Sequence, residues 1–274
     1  MTASLVTIPV HPAQAVGLRP RPRVPQVPAR PTTTVVIPAL NEAENLPHVL
    51  QRLPACVDEV VLVDGNSEDD TIAVARRERP GIRIVHQKGR GKGDALVRGF
   101  AVARGEIIVM LDGDGSTDPA EIPLFVEALL GGADVVKGTR FALGGASEDI
   151  TRLRAGGNRL LRLAVNMLYG VRHTDLCYGY MAFWRRCLPV LDIDCDGFEV
   201  ETLITVRAAL GGLAVREVPS VEHPRMHGRS NLRAWRDGRR VLSVLLREFS
   251  PRSARPQEAP AALPELALSE TVRS

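Results

Sequence analysis

The residues best suited to chemistry lie in Ile107-Ile108-Val109-Met110-Leu111-Asp112-Gly113-Asp114-Gly115-Ser116, where an apolar run ends in two carboxylates. Residues two apart on an extended chain point the same way, so Asp112 and Asp114 can converge on one ligand. Gly113 and Gly115 leave room for that ligand against the backbone. Two hard anionic oxygen donors suit Mg²⁺ or Mn²⁺, which fills its shell with water and phosphate oxygens. An EF-hand is excluded, because its sixth position would be Thr117 instead of glycine and its twelfth Pro123 instead of glutamate. An acidic turn is the plainer reading of Asp-x-Asp alone, so the rest of the chain has to decide.

Other groups point the same way. In Gly89-Arg90-Gly91-Lys92-Gly93, small residues free backbone N–H groups to face an anion, with Lys92 among them. Asp64 closes an apolar run, and Phe198-Glu199-Val200-Glu201 opens a helical one. One of those two glutamates is expected on a solvated helix face. His223 and His227 are too isolated to make a metal-ligand set.

The elements that must position these groups can be read from periodicity. Strands are expected at 33–37, 59–64, 82–85, 107–111 and 134–138. Helices are expected after Asn41, after Ser67, over 94–104 and after Asp118, with Asn41, Ser67 and Asp118 as caps. Strand–helix alternation at this spacing implies a parallel sheet, whose ligands sit beyond the carboxyl ends of its strands. Pro38, Asp64 and Asp112 all lie at such ends, so one crevice collects them. Farther on, helices are expected over 152–169 and 198–210, strands over 178–184 and 213–221, and a last helix capped by Asn231. The first and last of these helices mix arginine with Leu, Val or Trp.

Residues 1–31 hold seven prolines without periodicity and read as a disordered Pro/Arg-rich arm; residues 251–274 read as a flexible tail. The catalytic domain is expected over 32–250. A hydrophobic fraction of 45% suffices for a sizeable core, and a net charge of +3 gives no reason to expect nucleic acid. Four cysteines without CxxC spacing read as reduced thiols. No apolar run approaches the ~20 residues of a membrane-spanning helix, and the N-terminus lacks the pattern of a secretory signal. A cytoplasmic location is expected, with peripheral contact at the inner face of the cytoplasmic membrane.

Val-Ile-Pro-Ala-Leu-Asn-Glu (36–42), Val-Asp-Gly-Asn-Ser-Glu-Asp-Asp-Thr (63–71), Gly-Lys-Gly-Asp-Ala-Leu (91–96) and Leu-Asp-Gly-Asp-Gly (111–115) together resemble the family 2 glycosyltransferases of GT-A fold. Gly138-Thr139-Arg140-Phe141, Thr174-Asp175-Leu176 and His227-Gly228-Arg229-Ser230-Asn231 are similar to its polyprenyl-phosphate branch, which includes dolichol-phosphate mannose synthase. The resemblance implies an α/β domain with a mostly parallel sheet and acceptor-side helices at its C-terminal end. It implies a UDP- or GDP-sugar donor at Pro38, Ala39, Asn41, Glu42, Asp64, Lys92 and Gly113, with Mg²⁺ or Mn²⁺ on Asp112 and Asp114. Asp175, which matches the family, Glu199 and Glu201 are the available acceptor-side carboxylates, with Asp175 and Glu201 the catalytic candidates, and Arg140, Arg225, Arg229 and Ser230 are the candidate anion cluster. Inversion at the anomeric carbon is expected. The acceptor stays open between a polyprenyl phosphate and a soluble or carrier-bound molecule. Segment 177–184 departs from the polyprenyl-phosphate pattern, and so does Asn231, where lysine is common. A non-catalytic nucleotide-sugar module is disfavoured by the intact acidic pair. Membrane contact or pairing with a second copy would cover the apolar faces of 152–169 and 231–247.

Overall fold

The structure is a computed structural model, described here for residues 30–228 and 233–249. The tail, Arg229, Ser230, Asn231 and all of the N-terminal arm but its last two residues lie outside the described residues.

Runs of β-branched residues form the central strands. β1 (Thr33–Ala39) lies between β2 (Glu59–Asp64) and β4 (Ile107–Met110), parallel to both. β3 (Arg83–His86) lies outside β2. Alternate side chains leave opposite faces of the sheet. Val35, Ile37, Val60, Leu62 and Val109 enter one core; Val36, Val61, Val63, Ile108 and Met110 enter the other. Because both faces are covered, the strands read as continuous apolar runs. α1 (Leu46–Leu50), α2 (Thr71–Glu78) and α4 (Ile122–Leu130) cover the first face. α3 (Lys92–Val102), the short α6 (Leu188–Leu191) and α7 (Val200–Leu210) cover the second.

The seven-stranded sheet has the order β3-β2-β1-β4-β7-β5-β8, with β5 at Val135–Thr139, β7 at Met181–Trp184 and β8 at Val215–Pro219. The chain leaves β1 toward β2 and β3, then returns to the other side of β1 as β4. That reversal opens a crevice beyond the carboxyl ends of β1 and β4. β7 runs antiparallel to both β4 and β5, an exception the strand–helix pattern did not foretell. Its cause is local. After β5 the chain passes through β6 (Ala146–Ser147) and α5 (Arg152–Tyr169), then re-enters the sheet from the crevice end. The residues just before β7 are therefore delivered to the crevice. β6 pairs with β9 (Val221–Glu222) in a small second sheet, and α8 (Ala234–Phe249) packs on α7 and α5 through Leu245, Val206 and Val165.

Two expected caps are corrected. Asn41 has φ +56° and accepts from the backbone N–H of Glu68; α1 starts later, after Asn45. Ser67 does not cap α2, since its Oγ accepts from the Asn41 N–H and the helix begins at Thr71. In both cases the polar side chain joins two loops across the crevice rim. Asp118 does cap, accepting from Ala120 N–H at the start of a short 3₁₀ turn.

Candidate active site

Three elements bring one charged group each to the crevice. β4 delivers Asp112, α3 begins at Lys92, and the first turn of α7 carries Glu201. Lys92 Nζ lies 2.6 Å from Asp112 and 2.8 Å from Glu201. Burial works against the Lys92 ammonium, but the two carboxylates outweigh it and hold its pKa above the ordinary lysine range. Burial pushes the Asp112 carboxyl upward, with Lys92 opposing. The N-terminal cap of α3, Gly91, has φ +91°, and a Cβ there would strike the Asp196 carbonyl. Glycine is thus required for this loop to seat Lys92.

Asp114 takes a different partner. Arg225, on the loop after β9, reaches Asp114 at 3.3 Å, Glu42, and the His227 carbonyl at 2.7 Å. Asn45 donates to Glu42 at 2.6 Å and accepts from the His227 N–H, which ties this loop to the donor wall. The same loop donates from His223 N–H to the Ser116 carbonyl at 2.8 Å. It therefore lies across the acidic pair. Arg225, expected in an acceptor anion cluster, is here the counter-ion of Asp114 and Glu42.

Asp64 is only 2% exposed and accepts from the backbone N–H groups of Asn66 and Ser67. It shapes the turn beside Ala39, its register partner, so the nucleobase and ribose reading is met by a turn whose carboxylate already has partners. Gly113 packs against Ile37 and the Pro38 carbonyl, at the floor of the same crevice.

Arg140 and Asp175 meet one another. Arg140 donates to Asp175 from Nε at 2.7 Å and to Glu222 at 3.0 Å, and its side chain is nearly inaccessible. Asn158 of α5 adds a bond to Asp175 at 3.1 Å. Burial opposes ionisation of Asp175, but Arg140 overcomes it and holds the carboxyl below the ordinary range. With one guanidinium between two carboxylates, this cluster offers neither a free cation nor an available base. Arg140, expected as an anion ligand, lines the cavity with its guanidinium paired to Asp175, the expected acceptor-side carboxylate, and to Glu222. The hub instead joins β5, α5, the segment before β7 and β9. Of the two glutamates, Glu201 lines the cavity and Glu199 turns to the Gly197 N–H; both are buried, so neither lies on a solvated face.

Gly179, Glu222, Asn158 and Asn45 were not singled out from sequence. A Cβ on Gly179 would lie 2.6 Å from Lys92 Nζ and 3.1 Å from an Asp112 oxygen, so glycine keeps the charged cluster accessible. Asn158 carried a signal: it and Asn166 are the two amides on an otherwise apolar and arginine-bearing helix.

These groups floor a cavity of about 610 Å³. Its walls are apolar, with Leu153, Leu160 and Leu161 from α5 facing Trp235, Val241 and Leu242 from α8. Asp112 and Asp114 fit a hard divalent ion: both are oxygen donors, both line the cavity, and each is balanced by a basic side chain, Lys92 or Arg225. Two protein ligands leave most of the ion's shell for water and phosphate.

A sheet of this order with an acidic pair at its reversal point is the architecture of the GT-A glycosyltransferases. The chain belongs to glycosyl transferase family 2, whose family model matches residues 34–188. It is 33% identical over 227 residues to the glycosyltransferase AglJ of Haloferax volcanii, covering 81% of this chain and 73% of that one. It is also 33% identical over 207 residues to the polyprenol monophosphomannose synthase of Mycolicibacterium smegmatis, covering 69% and 77%. Among solved structures, glucosyl-3-phosphoglycerate synthase of Mycobacterium tuberculosis, bound to Mn²⁺, UDP and glucosyl-3-phosphoglycerate, superposes with TM-score 0.65 at 28% identity, covering 80% of each chain.

Proposed function

We propose that this enzyme transfers a sugar, with inversion and divalent-metal dependence, from a nucleoside diphosphate sugar to a polyprenyl phosphate. The observation that carries this reading is the continuity of one cavity from Asp112 and Asp114 to an apolar cleft between α5 and α8. A diphosphate suits the charged floor, and an isoprenoid chain suits the leucine-lined walls. Two of the relatives, the M. smegmatis enzyme and the undecaprenyl-phosphate mannosyltransferase of Micrococcus luteus, are named for such acceptors.

The donor's base and ribose are assigned to the rim formed by Pro38, Ala39, Asn41, Glu42 and the Asp64 turn. Asp112 and Asp114 would hold Mg²⁺ or Mn²⁺, which supplies Lewis-acid neutralisation of the leaving diphosphate. As the donor enters, Lys92 and Arg225 exchange carboxylate partners for phosphate oxygens. Glu201 keeps Lys92 oriented when Asp112 is engaged. A phosphate acceptor is already ionised, so orienting cations replace a general base. Arg225, and Arg229 and Ser230 later in the same sequence segment, are assigned that role. Arg140, at the cavity wall, is a positioning residue that fixes Asp175 and Glu222.

Lys92→Met should weaken nucleoside diphosphate binding about tenfold or more, because a hydrogen bond to a charged group contributes roughly 1.5–3 kcal/mol. Calorimetry with UDP and GDP would measure it, and unchanged affinity would remove Lys92 from the donor site. A panel of UDP- and GDP-sugars offered with a polyprenyl phosphate, in Mn²⁺, Mg²⁺ or excess chelator, tests the whole reading by mass spectrometry. Lipid-linked sugar formed only with metal is the expected product.

Among the described residues no helix is long and apolar enough to cross a membrane. Access to a lipid acceptor then requires docking on the bilayer surface. α5 exposes Leu153, Leu160 and Met167, and α8 exposes Trp235, Leu246 and Phe249, each beside arginines. Such helices bind through apolar burial plus attraction to anionic lipid. Flotation with phosphatidylglycerol vesicles should succeed at low salt and decline as salt screens the charge. Salt-independent failure to float would contradict surface docking.

A further inference from the structure

α5 stands between two cavities. Its stripe of Leu153, Gly157, Leu160 and Ala164 faces the active-site cleft. The opposite stripe, Ala155, Arg159 and Arg162, faces a second cavity of about 400 Å³ bounded by Phe141 and Thr174. At 3.6 residues per turn these stripes are half a turn apart. Asn158 borders both spaces and is bonded to Asp175 between them.

The second cavity is lined by two guanidinium groups and no carboxylate. Arg162 Nε is buried without a hydrogen-bond partner. Arg159 is exposed and Arg162 half-buried, so the orphan is the Arg162 Nε atom, and it is this donor that points to a missing acceptor. The carboxylates bonded to the cavity-lining Asn158 and Thr174 are committed elsewhere. Asp175 is held by Arg140 and Asn158, and Glu217 accepts from the backbone N–H and hydroxyl of Thr174. Nothing among the described residues neutralises Arg159 or Arg162, whereas neighbouring Arg154 is paired with Asp149.

We propose that this cavity is an anion site in which Arg159 and Arg162 hold a phosphate group, separate from the site of the donor's diphosphate. The group is a phosphate ester, carried by a lipid headgroup or free in solution. Both sources present the same oxygens to a planar guanidinium pair. Leu163, next to Arg162 in sequence, and Met167 are exposed on the same helix, which makes a headgroup sterically accessible. Asn158 and Val165 are the only fully buried residues of α5, so an anion behind the helix would brace the wall of the acceptor cleft.

The test uses the full chain, saturated with UDP or GDP to block the donor site, and titrated with inorganic phosphate at constant ionic strength. Calorimetry should detect a phosphate site that weakens at least tenfold in Arg159→Gln/Arg162→Gln and is partly kept in Arg162→Lys. Circular dichroism and unchanged nucleotide affinity report that the variants fold. Flotation with phosphatidylglycerol and with phosphatidylcholine vesicles separates the sources. If the double variant loses phosphatidylglycerol binding severalfold and free phosphate competes, the ligand is a headgroup. If it loses the phosphate site while floating like the parent, the ligand is a free ester. A double variant that matches the parent in both phosphate binding and flotation would overturn the proposal.

Discussion

Asp112→Asn should reduce sugar transfer about a thousandfold while leaving the fold in place. Loss of a metal-holding carboxylate removes several kcal/mol of charge stabilisation from the transition state, and roughly 4 kcal/mol corresponds to that factor. The fold survives because Asp112 follows the end of β4 and lines the cavity. Lys92 keeps Glu201 as its partner at 2.8 Å, so no ammonium is stranded. Turnover under saturating Mn²⁺, together with a melting curve, separates the two effects. Asp114→Asn should lose comparable activity, but it also frees Arg225, which retains Glu42. Activity within tenfold of the parent in either variant would refute the acidic pair as the metal site.

Arg140→Met should be the most destabilising single change at the site. Its removal leaves Asp175, with no accessible side chain, without its ion-pair partner and with only the buried Lys137 ammonium to offset its charge. Breaking a buried ion pair from one side costs roughly 3–5 kcal/mol. In a domain of this size each kcal/mol lowers the melting temperature by about 2–4 °C, so a fall of about 6–20 °C is expected. The pH dependence gives the sign. The folded Asp175 carboxyl titrates below its ordinary value, so its contribution is present above the unfolded pKa near ~4 and is lost as pH falls through the folded pKa. Without Arg140 that stabilisation is absent and burial favours the protonated acid. The gap in melting temperature between parent and variant should therefore narrow as the pH falls below ~4 toward the folded pKa. A gap that stays constant or widens would show that the pair does not hold Asp175 ionised.

The sequence carried the strands and the acidic pair more clearly than it carried the pairings of the charged groups. The runs at 33–39, 59–64 and 107–110 are apolar on both faces, and such a pattern has few other solutions. α5 was legible to the residue because Thr151 caps it and Gly170 ends it in the left-handed region. β7 was legible as a strand, but its direction depends on which end of the sheet the chain has reached. Asn41 and Ser67 looked like caps because the same side chains serve helix starts and loop junctions alike. Arg140, Arg225 and Asp175 were recognised as site residues, yet their partners lie up to 183 positions away in sequence. Charge complementarity alone does not say whether an arginine waits for a ligand or already holds a carboxylate. Gly179 was missed for a related reason: its importance lies in the Cβ it lacks beside Lys92.

The choice of acceptor is the centre of the account. The most direct measurement is a single competition with one active nucleotide-sugar donor, Mn²⁺, and equal concentrations of a polyprenyl phosphate in detergent and 3-phosphoglycerate. The latter is the kind of soluble acceptor for which the structurally similar M. tuberculosis enzyme is named. Mass spectrometry of both phases reads the result. The apolar cleft between α5 and α8 predicts that the sugar appears on the lipid phosphate, with little on phosphoglycerate. Sugar on phosphoglycerate with none on the lipid would contradict it.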